Sequence, residues 1–168
     1  MNTVFLSIGT NLGQREENLK KSVEMLEMEA GTVQALSSVY ETEPWEMSAN
    51  NLFLNMAVEI KTMLNPNALL KTVLDIETRM GRTRESTGYS SRIIDIDILF
   101  FNNQIINNKN LIIPHRFIPH RRFVLEPLTE IAPQFIHPVL RKSVESLLKL
   151  CTDKCVVKIY KSPLSAKL

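Results

Sequence analysis

Hydrophobic and polar positions along this chain switch repeatedly between a period of two and a period near 3.6, so strands and helices alternate. Residues 4–8 form a short apolar strand that ends in the turn Gly9, Thr10, Asn11, Leu12, Gly13. A helix is predicted over residues 15–30, with Leu19, Val23 and Leu26 on one face and Gly31 as its stop. Residues 32–40 read as strand, and residues 41–51 as a loop. Residues 53–61 alternate cleanly: Leu54, Met56, Val58 and Ile60 form one face, Phe53, Asn55, Ala57 and Glu59 the other. Asn65 caps a second helix with Pro66 in its first turn; its stripe is Leu69, Val73, Ile76 and Met80, and Gly81 ends it. A polar loop over residues 82–92 leads into the most apolar strand, residues 93–101, which reads as a buried central strand. A small hairpin (residues 104–106 with 111–113) follows, then a basic loop, helices near residues 121–130 and 143–151, and a closing strand at 156–160. This order predicts an α+β sandwich, a mixed, mostly antiparallel sheet with helices covering its faces.

Composition narrows the function classes. The 168 residues are 44% hydrophobic and 23% charged, within the range of an ordinary globular protein and long enough for one domain spanning residues 1–168. Twenty basic against eighteen acidic residues leave a net charge of +2, too balanced to announce a nucleic-acid or membrane protein, so electrostatics must act locally. The start Met1, Asn2, Thr3 has no signal-peptide character and no apolar run spans a bilayer. Cys151 and Cys155 make a poor disulfide or metal framework. A reducing, cytoplasmic setting is expected, with no obligate protein partner evident.

The chemistry is concentrated in Asp95 and Asp97. Asp is depleted in strands, and burying an unpaired carboxylate is costly. Two residues apart on one strand, both point to the same face, with Cα atoms roughly 6.5 Å apart. They can converge on one or two hard cations, and magnesium suits oxygen ligands shared between carboxylates and substrate phosphates. The plain alternative is a strand with one wet face, solubilised by its aspartates. Cationic residues enter from both sides: Arg82, Arg84 and Arg92 before the strand, His115, Arg116, His120, Arg121 and Arg122 after it. A metal-bound polyphosphate requires such an arrangement. Arg79, Arg122 and the C-terminal lysines read as solvated surface. Neither the usual phosphate loop nor a dinucleotide fingerprint is present, since Gly13 is followed by Gln14 rather than Lys. Phe53 and Asn55 share a strand face, with Thr42 and Trp45 in the preceding loop and Phe123 after the basic segment. Aromatic planes beside an amide suit a flat heterocycle, although each Phe could equally be core.

The runs Gly81, Arg82, Thr83, Arg84 and Arg92, Ile93, Ile94, Asp95, Ile96, Asp97, Ile98 resemble the signature of the 6-hydroxymethyl-7,8-dihydropterin pyrophosphokinase family. Ile113, Pro114, His115 and the run from Arg121 to Leu128 are similar to the same family. So are the opening Ser7 to Gly13, the loop Tyr40 to Pro44, and Phe53, Leu54, Asn55. The resemblance covers residues 3–135. It implies a ferredoxin-like fold, ATP as co-substrate, two magnesium ions and release of AMP in folate biosynthesis. Asp95 and Asp97 would bind the metals, with Arg82 and Arg92 completing the catalytic set. Glu77, Arg82, Arg84, Tyr89, Arg92, Ile98, His115 and Arg121 would line the ATP site, Tyr89 as a lid residue. Gly9, Thr42, Pro44, Trp45, Phe53, Asn55 and Phe123 would form the pterin pocket. The chain departs from the family at Tyr89, Ser90, Ser91, where Trp-Gly-Pro is usual, and at Glu43, Trp45 and Arg116. Two alternatives remain open at this stage: another magnesium-dependent phospho- or nucleotidyltransferase built on the same aspartates, and a non-enzymatic nucleic-acid-binding module.

Overall fold

A computed structural model of the chain describes residues 1–44, 51–82 and 92–163. β1 (Asn2–Thr10) is followed by α1 (Arg15–Glu29), β2 (Thr32–Leu36), β3 (Val39–Thr42) and β4 (Phe53–Thr62). Then come α2 (Pro66–Arg79), β5 (Asp95–Phe101) and the hairpin of β6 (Ile106–Asn107) with β7 (Ile112–Ile113). A 3-10 turn (Ile118–His120), α3 (Arg122–Ile131), α4 (Val144–Leu150) and β8 (Val157–Lys161) complete the chain. The main sheet runs β5-β1-β4-β3-β8, with β2 also pairing β4, and every described pairing is antiparallel. Helices lie on both faces, as the α+β reading requires, and the βαββαβ succession β1-α1-β3-β4-α2-β5 is that of a ferredoxin-like sandwich.

The two sheet faces differ in purpose. Leu54, Met56, Val58 and Ile60 of β4 join Val4, Leu6, Ile8, Ile96 and Ile98 against α1 and α2, which contribute Leu19, Val23, Leu26, Leu69, Val73 and Ile76. Each such side chain contributes about 1.5–3 kcal/mol on leaving water. α2 starts as its sequence dictates: the Asn65 side chain accepts from Ala68 N at 2.9 Å, a cap worth about 1 kcal/mol. On the other face α3 and α4 cover only one end, over Phe5, Ala57, Leu99 and Phe100. The register of β5 against β1 shifts there: Leu6 faces Ile98 but Phe5 faces Phe100, so Leu99 is an extra residue and the strand bulges. A bulge reverses the inward–outward parity. Leu99 and Phe100 therefore both join the apolar end, while Asp95 and Asp97 remain at the uncovered end.

Two features differ from the expectation. Residues 32–40 are not one strand but β2 and β3, broken at Ser37 and Ser38, both of which pair with β4. The Ser37 hydroxyl accepts from Ala57 N at 2.8 Å, and Ser38 binds the Glu130 carboxylate through its amide and hydroxyl, so two side-chain-served residues replace ladder bonds at the break. Secondly, β5 is not central but the terminal strand of its sheet, pairing only with β1 among the described strands. It is apolar because both its faces are covered, and its outer edge is closed by other means: Ile96 N donates to Glu77 Oε1 at 2.7 Å and His115 N to Leu99 O at 2.9 Å.

Under the apolar end, Phe100 meets Phe5, Phe135 and His137, with the His137 ring edge-on at 5.4 Å. His137 is buried, and its Nδ1 accepts from Val139 N and Leu140 N, both at 3.2 Å, which fixes the neutral tautomer. Burial holds its pKa below the ordinary value. A histidine kept neutral in the fold but free to protonate when unfolded makes stability fall as pH drops below about 6.5. Substituting Asn, whose side-chain oxygen can accept the same two amides, removes the titration. We expect the melting temperature of His137→Asn, followed by circular dichroism, to decline less than that of the parent between pH 7.5 and 5.5. Parallel curves would show that His137 does not carry this acid sensitivity.

Candidate active site

Strand register assembles the polar end of the sheet. Gly9 of β1 lies opposite Asp95 of β5 on one side and Asn55 of β4 on the other, and Asn55 in turn lies opposite Tyr40. One step along, Ser7 lies opposite Asp97 and Ala57, and Phe53 opposite Thr42. Directly opposed residues share a sheet face. Asp95, Asp97, Ser7, Gly9, Phe53, Asn55 and Thr42 consequently line a single cleft, to which Glu43, Arg92, Arg121 and Phe123 are added from loops and the start of α3. The buried Asn55 amide donates to Thr42 Oγ1 at 2.7 Å. Gly9 has a definite reason: a Cβ there would sit 2.9 Å from Asn55 Oδ1, so only glycine leaves the amide its place. The cleft is tight, with about 50 Å³ open to a water-sized sphere.

Beyond the carboxylates lies a second cavity of about 360 Å³, and Asp95 and Asp97 line both spaces. Of the residues that the resemblance assigned to an ATP site, Glu77, Arg82, Ile98 and His115 line this second cavity, whereas Arg92 and Arg121 line the first cleft. The second cavity is also lined by Arg116, one of the cationic residues noted around the aspartates, and by residues that the sequence did not single out as ligands: Leu70 and Leu74 on α2 and residues 109–112 around the hairpin. The period of α2 was the available signal for Leu70 and Leu74, since they follow the core stripe by one position and so border it. Pro44 does not line the cleft; its neighbour Glu43 does. Trp45, Arg84 and Tyr89, and with them the expected lid, lie outside the described residues.

Asp95 is gripped from two directions. Arg82 Nη1 reaches its Oδ1 at 2.5 Å and Arg92 Nη1 its Oδ2 at 2.6 Å, and Arg82 also pairs with the buried Glu77 carboxylate. Asp97 has a different fate. Loss of solvent, reinforced by the neighbouring Asp95 charge, pushes its pKa up to about 7 despite Arg121 and Arg92 nearby. Burial, then the Arg121 charge, pushes His115 down to about 4, so its imidazole is neutral at physiological pH. Arg121 itself is buried, its guanidinium 4.3 Å from the Phe117 ring centre and 5.7 Å from that of Phe123.

The loop after β1 holds the site together in a way the sequence did not announce. Asn11 N donates to Arg92 O at 3.1 Å, and Arg92 N donates to Asn11 Oδ1 at 2.7 Å. Thr10 Oγ1 and Asn18 Nδ2 both donate to Ile93 O. Polar side chains of the first turn and of α1 thereby fix the two residues that lead into Asp95.

Among the described residues no group of three or more His, Cys, Asp or Glu side chains gathers as a metal cage. Two carboxylates open to two cavities fit magnesium, which fills its remaining positions with phosphate oxygens and water. The raised pKa of Asp97 marks the uncompensated negative charge that a cation would offset.

This is a cleft-and-cavity site built around a carboxylate pair on a ferredoxin-like sheet. The family model described as 7,8-dihydro-6-hydroxymethylpterin-pyrophosphokinase (HPPK) matches residues 5–133, and the chain belongs to that family. It is 46% identical over 134 residues to the 2-amino-4-hydroxy-6-hydroxymethyldihydropteridine pyrophosphokinase of Bacillus subtilis, covering 79% of this chain and 80% of the relative. Identity to the enzyme of the same name from Aquifex aeolicus is 37% over 162 residues, covering 95% of this chain and all of the relative. Among solved structures, a Plasmodium falciparum HPPK-DHPS with pteroate shares the fold at a TM-score of 0.73 and 21% identity, over 89% of this chain and 42% of that one.

The carboxylate pair gives a direct test. A carboxyl whose pKa is raised from 3.8 to about 7 contributes stability below pH 3.8, and loses it progressively as pH rises through 7. Without metal, Asp97→Asn should therefore melt higher than the parent, by a margin that widens from pH 4 to 7 and then levels off. Added magnesium should raise the melting temperature of the parent more than that of the variant. A variant less stable than the parent at pH 8 without metal would show that Asp97 is not the strained member of the pair.

Proposed function

We propose that this protein transfers the β,γ-pyrophosphoryl group of ATP to the hydroxymethyl oxygen of 6-hydroxymethyl-7,8-dihydropterin, releasing AMP, as a cytoplasmic step of folate biosynthesis. Family membership supports the reaction class. The observation that carries the site assignment is the placing of Asp95 and Asp97 as the common wall of the two cavities. A donor and an acceptor bound on either side would meet at that wall.

Each residue then has a task. Phe53 and Phe123 clamp the faces of the bicycle, and Asn55 with Thr42 reads its edge. Leu70, Leu74 and Ile98 offer the adenine an apolar wall, and His115, neutral, supplies a hydrogen-bonding imidazole. Asp95 and Asp97 would hold two magnesium ions, which polarise the transferred phosphoryl group and lower the pKa of the attacking hydroxyl. Arg82 and Arg92, both within reach of Asp95, would be placed to turn their guanidiniums to the phosphate oxygens. In the transfer, the hydroxymethyl oxygen bonds to the β-phosphorus while the bond from that phosphorus to the α,β-bridging oxygen breaks. The electron pair leaves with AMP and the hydroxyl proton passes to water. Positioning and charge stabilisation do the work, and no protein base is needed.

Incubation with magnesium, ATP and the dihydropterin should yield AMP, and only when the pterin is present; pterin-dependent ADP would point to a different phosphotransferase. Phe123→Ala should weaken pterin binding by about 1–3 kcal/mol, roughly 5- to 150-fold, with a much smaller effect on ATP. Equal losses for both ligands, measured by calorimetry, would make Phe123 a packing residue.

A further inference from the structure

The family match ends at residue 133, yet the chain beyond it returns to the pterin side of the cleft. After α4 it passes the start of α3, where Asp153 Oδ2 accepts from Arg122 N and Oδ1 from Cys155 N, both at 2.9 Å. The Asp153 backbone oxygen also accepts from Arg122 Nε at 3.2 Å. Arg122 is the first residue of α3, and the residue at the helix cap, Arg121, makes no capping bond with its own side chain. Asp153, thirty-one residues later, supplies the missing acceptor. The carboxylate also faces the positive end of the helix dipole, an interaction of the favourable sign.

From Asp153 the segment goes directly to the opposite lip of the cleft. Cys155 Sγ lies 3.8 Å from the Glu43 carbonyl oxygen. β8 then pairs with β3, Val157 opposite Thr42 and Lys158 opposite Glu41. Its far end is anchored on α1, where Tyr160 and Lys161 both donate to the Glu16 carboxylate at 2.9 and 2.6 Å. Residues 153–157 thus bridge two elements of the pocket that share no strand pairing: the start of α3, with Arg121 and Phe123, and the end of β3, with Thr42 and Glu43.

We propose that Asp153 is a positioning residue for the pterin pocket, setting the separation of Phe123 from the Thr42 lip without touching the substrate. The proposal rests on the pyrophosphokinase reading given above. With only about 50 Å³ open between these lips, small changes in their separation decide whether a flat bicycle fits. The nucleotide cavity, lined by α2, β5 and the β6–β7 hairpin, is not bridged by the segment and should be insensitive to it.

Steady-state kinetics on the full chain separate the outcomes. Asp153→Ala should raise KM for the dihydropterin about tenfold while KM for ATP stays within twofold. Asp153→Asn, which keeps one oxygen for Arg122 N–H, should restore KM for the pterin to within about threefold of the parent. Equal shifts in both KM values, or no shift, would overturn the proposal. A parent protein that forms no AMP would instead take down the pyrophosphokinase reading and this proposal with it. A second measurement needs no variant. If the segment sets the pocket, ligand at the pocket must stabilise the segment in return. Amide exchange at Arg122, Cys155 and β8 should slow by at least fivefold when the pterin and a non-hydrolysable ATP analogue bind. Unchanged exchange there, in a protein whose Asn55 and Phe53 amides do become protected, would refute the coupling.

Discussion

Everything at this site depends on holding two carboxylates two residues apart on the terminal strand of a sheet. Asp95 and Asp97 repel one another, and both would be easier to hydrate than to gather. The chain offsets this asymmetrically. Asp95 receives a guanidinium on each oxygen, while Asp97 is left with a raised pKa and more distant positive charges. One carboxylate is clasped by two guanidiniums, and the other sits where burial and its neighbour's charge disfavour ionisation. The pair is therefore electrostatically uneven, which is the feature that the proposed magnesium role draws on.

A terminal strand brings a second problem, its unpaired backbone edge. The solution uses site residues. Glu77 accepts the Ile96 amide and also pairs with Arg82, and His115 gives its own amide to Leu99. Closing the edge and building the nucleotide cavity are thus one construction, because the groups that cover β5 also line the space beside it. The bulge at Leu99 serves the same end. Without it, the strand could not turn Asp95 and Asp97 to the open half of a face whose other half buries Phe100 under α3.

Much of this was legible in the sequence. The stripes of α1 and α2 and the alternation of β4 are period signals, and they gave the core face correctly. Asp95 and Asp97 were conspicuous because carboxylates in an apolar strand are costly. The edge position of β5 was not legible: a strand covered on both faces reads as central whether one neighbour or two supplies its hydrogen bonds. Nor were Asn11, Asn18 and Glu77 recognisable as fasteners of Arg92, Ile93 and Ile96, since a buried polar side chain serving a distant backbone leaves no periodic trace. Arg122 read as solvated surface for the same reason. Its partner Asp153 becomes visible only once the tail has folded back, whereas Glu126 is an ordinary pair four residues along α3.

The arginines join these observations into one account of binding order. Arg82 and Arg92 both pair with Asp95, so on the proposed reading they would turn to phosphate only where another positive charge took their place on that carboxylate. A nucleotide arriving without metal would meet that obstacle together with the negative charge of Asp97. A cation arriving without nucleotide would compete with both guanidiniums for Asp95, and Arg82 would still hold Glu77. On the proposed reading, arrival of both would pair the cation with the carboxylates and the arginines with the phosphates. Electrostatics would then couple the two ligands, each easing the binding of the other. The aromatic cleft shares Arg92, Asp95 and Asp97 with the charged half of the site, but its opposite wall does not carry these charges. That wall, Phe53, Asn55 and Thr42, is neutral, so a ligand there would be sorted by shape, and the neighbouring elements are joined by the β3–β8 pairing and by the bond from Arg122 N to Asp153.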